Sequence, residues 1–186
     1  MFIRPFYRIR YIGKENIPKS GGLLICSNHI SFFDPVAIGL GVRRKIYFMA
    51  KSEFFTNYGF LVRGFFKSCG VIPVNRGKSD MNAIDTSKKY IGSGRQIGIF
   101  PQGGISKDRR AFSPKAGAAL ISVRTEAPII PVSIFSLDKI HPFCKITVRF
   151  GKPVYPPKDN SLKSARRLTE EIREKIISQL EEEHKW

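Results

Sequence analysis

Gly22-Leu23-Leu24-Ile25-Cys26-Ser27-Asn28-His29-Ile30-Ser31-Phe32-Phe33-Asp34-Pro35 reads as a strand, a polar loop and the start of a helix. The apolar run Leu23–Cys26 supplies the strand, predicted over Gly22–Ser27. Asp34-Pro35 supplies the helix start, with Asp34 expected as N-cap and Pro35 at the first helical position. The same alternation recurs along the chain. Further strands are predicted over Lys45–Ala50, Gly70–Val74, Gln96–Pro101, Ile129–Phe135 and Lys145–Phe150. Helices are predicted over Pro35–Leu40, Glu53–Lys67, Met81–Ile91 and Pro114–Thr125. Strands separated by helices predict an α/β fold, a mostly parallel sheet flanked by helices. Near-continuous apolar strands such as Ile129-Ile130-Pro131-Val132 fit a sheet covered on both faces.

The last strand is followed by the turn Pro153-Val154-Tyr155-Pro156-Pro157 and then by Ser161–Lys185. Leu162, Ala165, Leu168, Ile172, Ile176 and Leu180 recur there at helical spacing with charges between them. That is the pattern of an amphipathic C-terminal helix. There are no internal repeats. A chain of 186 residues is expected to form a single domain, with its motif-bearing core at about 20–155 and the C-terminal helix at 161–185.

Charge narrows the partners. Lys plus Arg number 32 against 15 Asp plus Glu, a formal net charge of +17. Such a chain attracts polyanions: nucleic acid, an anionic lipid surface or an acidic carrier protein. No recognisable nucleic-acid motif accompanies the charge, which argues against nucleic acid. The segment Phe54–Lys67 mixes Phe54, Phe55, Tyr58, Phe60, Phe65 and Phe66 with Arg63 and Lys67. This mixture suits a membrane interface and equally suits a buried helix face with a few solvated cations. No run reaches the roughly 18 uncharged apolar residues of a membrane span. The N-terminus is too short and too basic for a signal-peptide core. The expected location is cytoplasmic, at most peripheral on the inner face of the cell membrane. Cys26, Cys69 and Cys144 are far apart and form no paired motif, so a reducing compartment and no metal site are expected.

In open α/β sheets ligands bind at the carboxyl ends of strands. Three segments fall there: Asn28–Asp34, Asn75-Arg76-Gly77 and Pro101-Gln102-Gly103-Gly104. In the first, a histidine and an aspartate stand five apart. A neutral imidazole can take a proton from an alcohol, and a carboxylate can fix its tautomer and stabilise the imidazolium. In the second, Arg76 has the fork geometry for a phosphate. In the third, two glycines let backbone N–H groups approach an oxyanion or phosphate. Each segment also has a plainer reading: a helix cap with a loop histidine, a solvated arginine, and an ordinary turn.

Taken together the segments resemble the glycerolipid acyltransferases, specifically the 1-acyl-glycerol-3-phosphate acyltransferases. That family's NHxSxxD-type block reads here Asn28-His29-Ile30-Ser31-Phe32-Phe33-Asp34. Its GxIxVxRG-type block reads Gly70-Val71-Ile72-Pro73-Val74-Asn75-Arg76-Gly77. Its FPEGTRS-type block reads Phe100-Pro101-Gln102-Gly103-Gly104-Ile105-Ser106. The late V/I-P-V-type block reads Ala127-Pro128-Ile129-Ile130-Pro131-Val132, and Ala50-Lys51-Ser52-Glu53-Phe54-Phe55 matches a further family pattern.

The resemblance implies a glycerol-3-phosphate acyltransferase-like fold. It implies transfer of a fatty acyl group from a thioester to the free hydroxyl of lysophosphatidic acid. His29 is then the general base and Asp34 its orienting partner. Asn28, Arg76, Gln102, Gly103, Gly104 and Lys107 are expected to bind substrate. No cofactor is implied; the donor is a thioester of acyl carrier protein or coenzyme A. The implied partners are an anionic membrane surface, that donor and a lyso-glycerolipid acceptor. The third block departs from the pattern, with Gln102 for Glu, Gly104 for Thr and Ile105 for Arg. Lys107, Arg109 or Arg110 could stand in for the absent Arg. The departures admit two further readings: a different lyso-lipid or amino-acid-headed acceptor, and a catalytically impaired lipid-binding relative.

Overall fold

The computed structural model describes residues 8–53, 64, 70–74, 81–106, 112–137, 140–141 and 143–183. In chain order the elements are β1 (Arg8–Ile12), β2 (Leu23–Ser27), α1 (Asp34–Gly41), β3 (Ile46–Lys51), β4 (Ile72–Val74), α2 (Met81–Gly92), β5 (Gln96–Ile99), α3 (Gly117–Thr125), β6 (Ile129–Phe135), β7 (Lys145–Phe150) and α4 (Leu162–Glu183). The strands form one seven-stranded sheet in the order β1-β7-β6-β2-β5-β3-β4. Every pairing is parallel except β6 with β7. The expected mostly parallel, helix-flanked α/β sheet is the architecture found.

Side-chain alternation along the central strands builds two cores. Leu24, Cys26, Ile97, Ile99 and Ile129 face one side, against α2, α3 and α4. Leu23, Ile25, Ile130, Val132 and Ile134 face the other, against Ala37 and Ile38 of α1 and the buried side of β7. All five residues of β2 are buried, so the strand carrying the motif has no solvent face. From α4, Ala165, Leu168, Ile172, Ile176 and Leu180 enter the first core, each at most 2 % exposed. This is the predicted apolar stripe, with its charged face outward.

Helix α3 starts at Gly117 rather than Pro114, strand β5 ends at Ile99 rather than Pro101, strand β3 is shifted by one residue, and three further differences bear on the site and its frame. β1 was not expected; it lines the edge of the sheet, parallel to β7, with Arg8 paired to Lys145. Its alternation of Arg8 and Arg10 with Ile9 and Tyr11 is the pattern of a half-covered strand. Strand β4 begins at Ile72 rather than Gly70, because Gly70 has a φ of 75°, outside the extended region. Helix α1 begins at Asp34 itself, with Phe33 in the cap position, so Asp34 is not the N-cap. Its carboxylate turns backward to the preceding loop instead. Most of the expected Glu53–Lys67 helix, the aromatic-basic stretch within it, Cys69 and the segment Asn75-Arg76-Gly77 lie outside the described residues, as does Lys107.

Strand order places the motifs. β5 and β6 flank β2, so the loops leaving β2 and β5 are neighbours. β4 is three strand spacings from β2, about 14 Å.

Candidate active site

The loop after β2 is tied to both flanking strands before any chemistry begins. Asn28, 2 % exposed, extends a strand-like pairing toward β6. Its Nδ2 donates to the Ile134 carbonyl at 2.9 Å, and the Ile134 N–H donates to its Oδ1 at 2.8 Å. Both ends of the amide are thus engaged by backbone, which locks the point from which His29 departs. Asn28, expected from sequence as a substrate-binding side chain, is thus placed in the sheet with its amide paired to the Ile134 backbone.

On the other side the loop after β5 grips His29 by its own backbone. Gln102 Oε1 accepts from the His29 N–H at 3.2 Å, and the Ser106 N–H donates to the His29 carbonyl at 2.7 Å. The grip depends on a tight turn. The Gly103 N–H donates to the Phe100 carbonyl at 3.1 Å, with Pro101 between them and Gly103 at a φ of 81°. Proline suits the second position of such a turn, and the positive φ favours glycine at its end. Gly104 is different: a Cβ added there would meet nothing within 4 Å. Its lack of a side chain leaves open space.

The imidazole is held on two sides. Nδ1 lies 2.8 Å from Asp34 Oδ2. The ring stacks on Phe100, with centroids 4.0 Å apart and planes at 18°, and Phe100 in turn stacks on Phe48 at 5.6 Å. Asp34 is fully buried, and its Oδ2 also accepts from the N–H groups of Ile30 at 2.6 Å and Ser31 at 2.9 Å. Three donors therefore converge on one oxygen, while Oδ1 is buried without a partner among the described residues. An ionised carboxylate can only accept, so its contact with His29 places the imidazole proton on Nδ1. Nε2 is left with its lone pair, on a side chain 15 % exposed. Such an arrangement can act as a base: among the described residues Nε2 has no partner, the tautomer is set and a negative charge lies beside the ring.

The neighbouring thiol is not a rival nucleophile. Burial pushes Cys26 up to about 12, so at neutral pH it remains a protonated core side chain. Among the described residues no three His, Cys, Asp or Glu side chains group in a way that could hold a metal ion. The structure thus brings His29, Asp34, Gln102, Gly103 and Gly104 together at one end of β2 and β5. Two contributors were not anticipated from sequence. Phe100 and Phe48 support the ring, and the signal for them is Gly98, where an added Cβ would collide with the Phe48 ring.

Comparison with known proteins follows these same elements. The acyltransferase family model matches residues 8–135. A 1-acyl-sn-glycerol-3-phosphate acyltransferase of Bacillus subtilis is 28% identical over 175 residues, covering 90% of this chain and 86% of that one. Its counterpart in Borreliella burgdorferi is 32% identical over 190 residues, covering 94% and 72%. The chain spans about half the length of a chloroplastic 1-acyl-sn-glycerol-3-phosphate acyltransferase of Brassica napus, BAT2, to which it is 30% identical. The crystal structure of the 1-acyl-sn-glycerophosphate (LPA) acyltransferase PlsC from Thermotoga maritima superposes with a TM-score of 0.71 and 25% identity, over 93% of this chain and 72% of that one. The family match runs from the edge strand β1 through both loops that hold His29 to the end of β6, and the chain belongs to the acyltransferase family.

Proposed function

We propose that the protein transfers a fatty acyl group from a thioester donor to the free hydroxyl of lysophosphatidic acid, in phospholipid synthesis. The observation that carries this reading is the His29 Nδ1–Asp34 Oδ2 contact of 2.8 Å, with Nε2 unengaged among the described residues. Nε2 takes the proton of the acceptor hydroxyl as its oxygen attacks the thioester carbonyl. The C–O bond forms, the tetrahedral intermediate collapses, and the C–S bond breaks. The departing thiolate takes the proton back from the imidazolium. Asp34 holds the ring in register and stabilises the imidazolium while it exists. No enzyme nucleophile enters, in keeping with Cys26, whose thiol stays protonated in the core on the α2, α3 and α4 side of the sheet. The thioester belongs to acyl carrier protein or coenzyme A, both acidic and suited to a net charge of +17. The protein works as a peripheral enzyme on an anionic membrane, where its acceptor resides.

A second reading keeps the chemistry and changes the acceptor to another lyso-lipid. Open space at Gly104 and the apolar, 38 % exposed Ile105 favour it, since the family pattern has Thr and Arg there. A transfer assay pairs both donors with a panel of lyso-lipids and reads products by mass spectrometry. His29→Ala, tested as a folded protein, is expected to lower turnover by about 10²–10⁴-fold. Turnover close to that of the unmodified protein would end the general-base reading. A product from an acceptor without a phosphate monoester, and none from lysophosphatidic acid, would select the second.

A further inference from the structure

The large apolar side chains that the described residues expose are not spread evenly. They are Phe32 (77 %), Leu137 (77 %), Phe143 (64 %), Ile105 (38 %) and Val36 (36 %), together with Tyr155 and Leu162. The first five belong to segments at one end of the sheet. Phe32 and Val36 follow β2, Ile105 follows β5 and Leu137 follows β6. Phe143 precedes β7, which runs antiparallel to β6, so it stands at that same end. Tyr155 and Leu162 follow β7, whose last residues pair at the opposite end. Because β6 and β5 flank β2, these five side chains surround the loop that carries His29.

Register sets their height. Ser27 pairs with Val132 and Phe135 with Thr147, so the β6–β7 connection reaches beyond the level at which Asn28 meets Ile134. Leu137 and Phe143 therefore stand proud of the dyad. Phe143 has a φ of 72°, which a non-glycine residue adopts at a cost. The same end carries exposed cations at Arg8, at Lys145 and at Lys115, whose N–H donates to the Pro101 carbonyl. Among the described residues there, Asp34 is buried, Glu53 lies 3.9 Å from Lys51, and at the end of α4 Glu182 and Glu183 are both paired with Arg149, Glu183 lining the same recess as Arg8, Leu137 and Lys145.

We propose that this rim is the surface by which the enzyme docks on an anionic bilayer, with Phe32, Leu137 and Phe143 entering the interface around the open side of His29. The inference rests on the lipid acceptor proposed above and supplies the geometry by which it is reached. Apolar side chains ringed by cations match a surface with an apolar interior and anionic headgroups. A dock at this end brings the acceptor hydroxyl to Nε2 while its acyl chain stays in the lipid. Scattered exposed apolar residues are normal on any protein, but five gathered at the one end of the sheet that carries His29 are not.

The experiment uses the full chain and a triple variant, Phe32→Ser, Leu137→Ser and Phe143→Asn; Asn tolerates the positive φ. Binding is read by co-sedimentation with phosphatidylglycerol–phosphatidylcholine vesicles and with vesicles of phosphatidylcholine alone. Turnover is read with lysophosphatidic acid embedded in the vesicles, and with a short-chain form that stays monomeric in solution. The unmodified protein should bind the anionic vesicles and leave them as salt rises. Each lost side chain should lower partition by about tenfold. The triple variant should thus lose binding and turnover on embedded acceptor, and keep turnover on the soluble one. Vesicle binding by the triple variant equal to that of the unmodified protein overturns the proposal. So does a variant that keeps vesicle binding but loses turnover with carrier-protein thioester alone, because the rim then docks the protein donor. Rim-dependent vesicle binding without acyl transfer to any acceptor leaves the dock standing and removes the acyl-transfer reading.

Discussion

At the scale of single residues, Asp34 decides more than the orientation of His29. Its Oδ2 gathers the imidazole and two backbone N–H groups, and Oδ1 has no partner among the described residues. An asparagine at this position has one favourable orientation, with its oxygen facing the three donors and its amine where Oδ1 was. The tautomer then survives and only the negative charge is lost. Asp34→Asn is expected to fold and to lower kcat by about 10²-fold, because the imidazolium loses its counter-charge. Steady-state kinetics beside a thermal melt checks this; a Tm lowered by more than about 5 °C would mean the loop had rearranged. The ring stack gives a second expectation. A Cβ at Gly98 collides with the Phe48 ring, which supports Phe100 and through it His29. Gly98→Ala should cost about 1–3 kcal/mol of stability by overpacking. It should also lower kcat with little change in KM, since the displaced element supports the base rather than the substrates. Denaturant unfolding and a kcat–KM comparison read the two parts separately.

At the scale of elements, α4 shows what apolar spacing is able to specify. Its Ile176, with no exposed surface, sits in the middle of the stripe against the sheet and α3. Ile176→Ala should destabilise by about 2–5 kcal/mol, measured by urea unfolding, and should leave the turnover of the folded fraction unchanged. The same spacing made this helix and six of the seven strands legible in the sequence, because burying a helix stripe or a whole strand requires a periodic or continuous apolar run. β1 escaped notice, since an edge strand covered on one face needs only Ile9 and Tyr11 inward, and two arginines mask so short an alternation. The start of α1 shifted by one residue for a different reason. Asp-Pro is a helix-start signal, but the carboxylate was drawn back by three donors in the loop, a tertiary preference no local pattern encodes. In the site, the His29–Asp34 pairing was legible from spacing. The buried pairing of Asn28 with Ile134 was not, because it joins residues 106 apart in sequence.

At the scale of the whole molecule, the two ends of the sheet do different work. The carboxyl end holds the dyad and leaves Nε2 open. The amino end is closed by Arg44, in the turn before β3. Its Nη1 donates to the carbonyls of Gly21 at 2.7 Å and Gly94 at 2.9 Å, and its Nη2 donates to that of Pro18 at 3.0 Å. The buried Gln96 side chain, with its amide oxygen turned to the guanidinium, accepts from Nη2 at 2.8 Å and Nε at 2.9 Å. All five N–H donors of the guanidinium are thus engaged, by the segments that lead into β2 and β5 and by the first residue of β5. These two strands carry both halves of the active loop at their far ends. Arg44→Ala removes this clamp and leaves Gln96 buried without its partner, while the carbonyls of Pro18, Gly21 and Gly94 at the amino end regain water. The expected loss is about 1.5–3 kcal/mol, read as a lower urea midpoint with an unchanged slope. Lysine should recover only part of it, because a single ammonium cannot span carbonyls and amide in the planar fork that arginine provides. Turnover per folded molecule should match that of the unmodified protein for both variants, since the strands transmit position to the dyad only when they are paired, and they remain paired through β2 and β5. If Arg44→Ala lowers kcat of the fully folded protein, the two ends are coupled, and the clamp also sets the register in which the His29 loop meets Gln102.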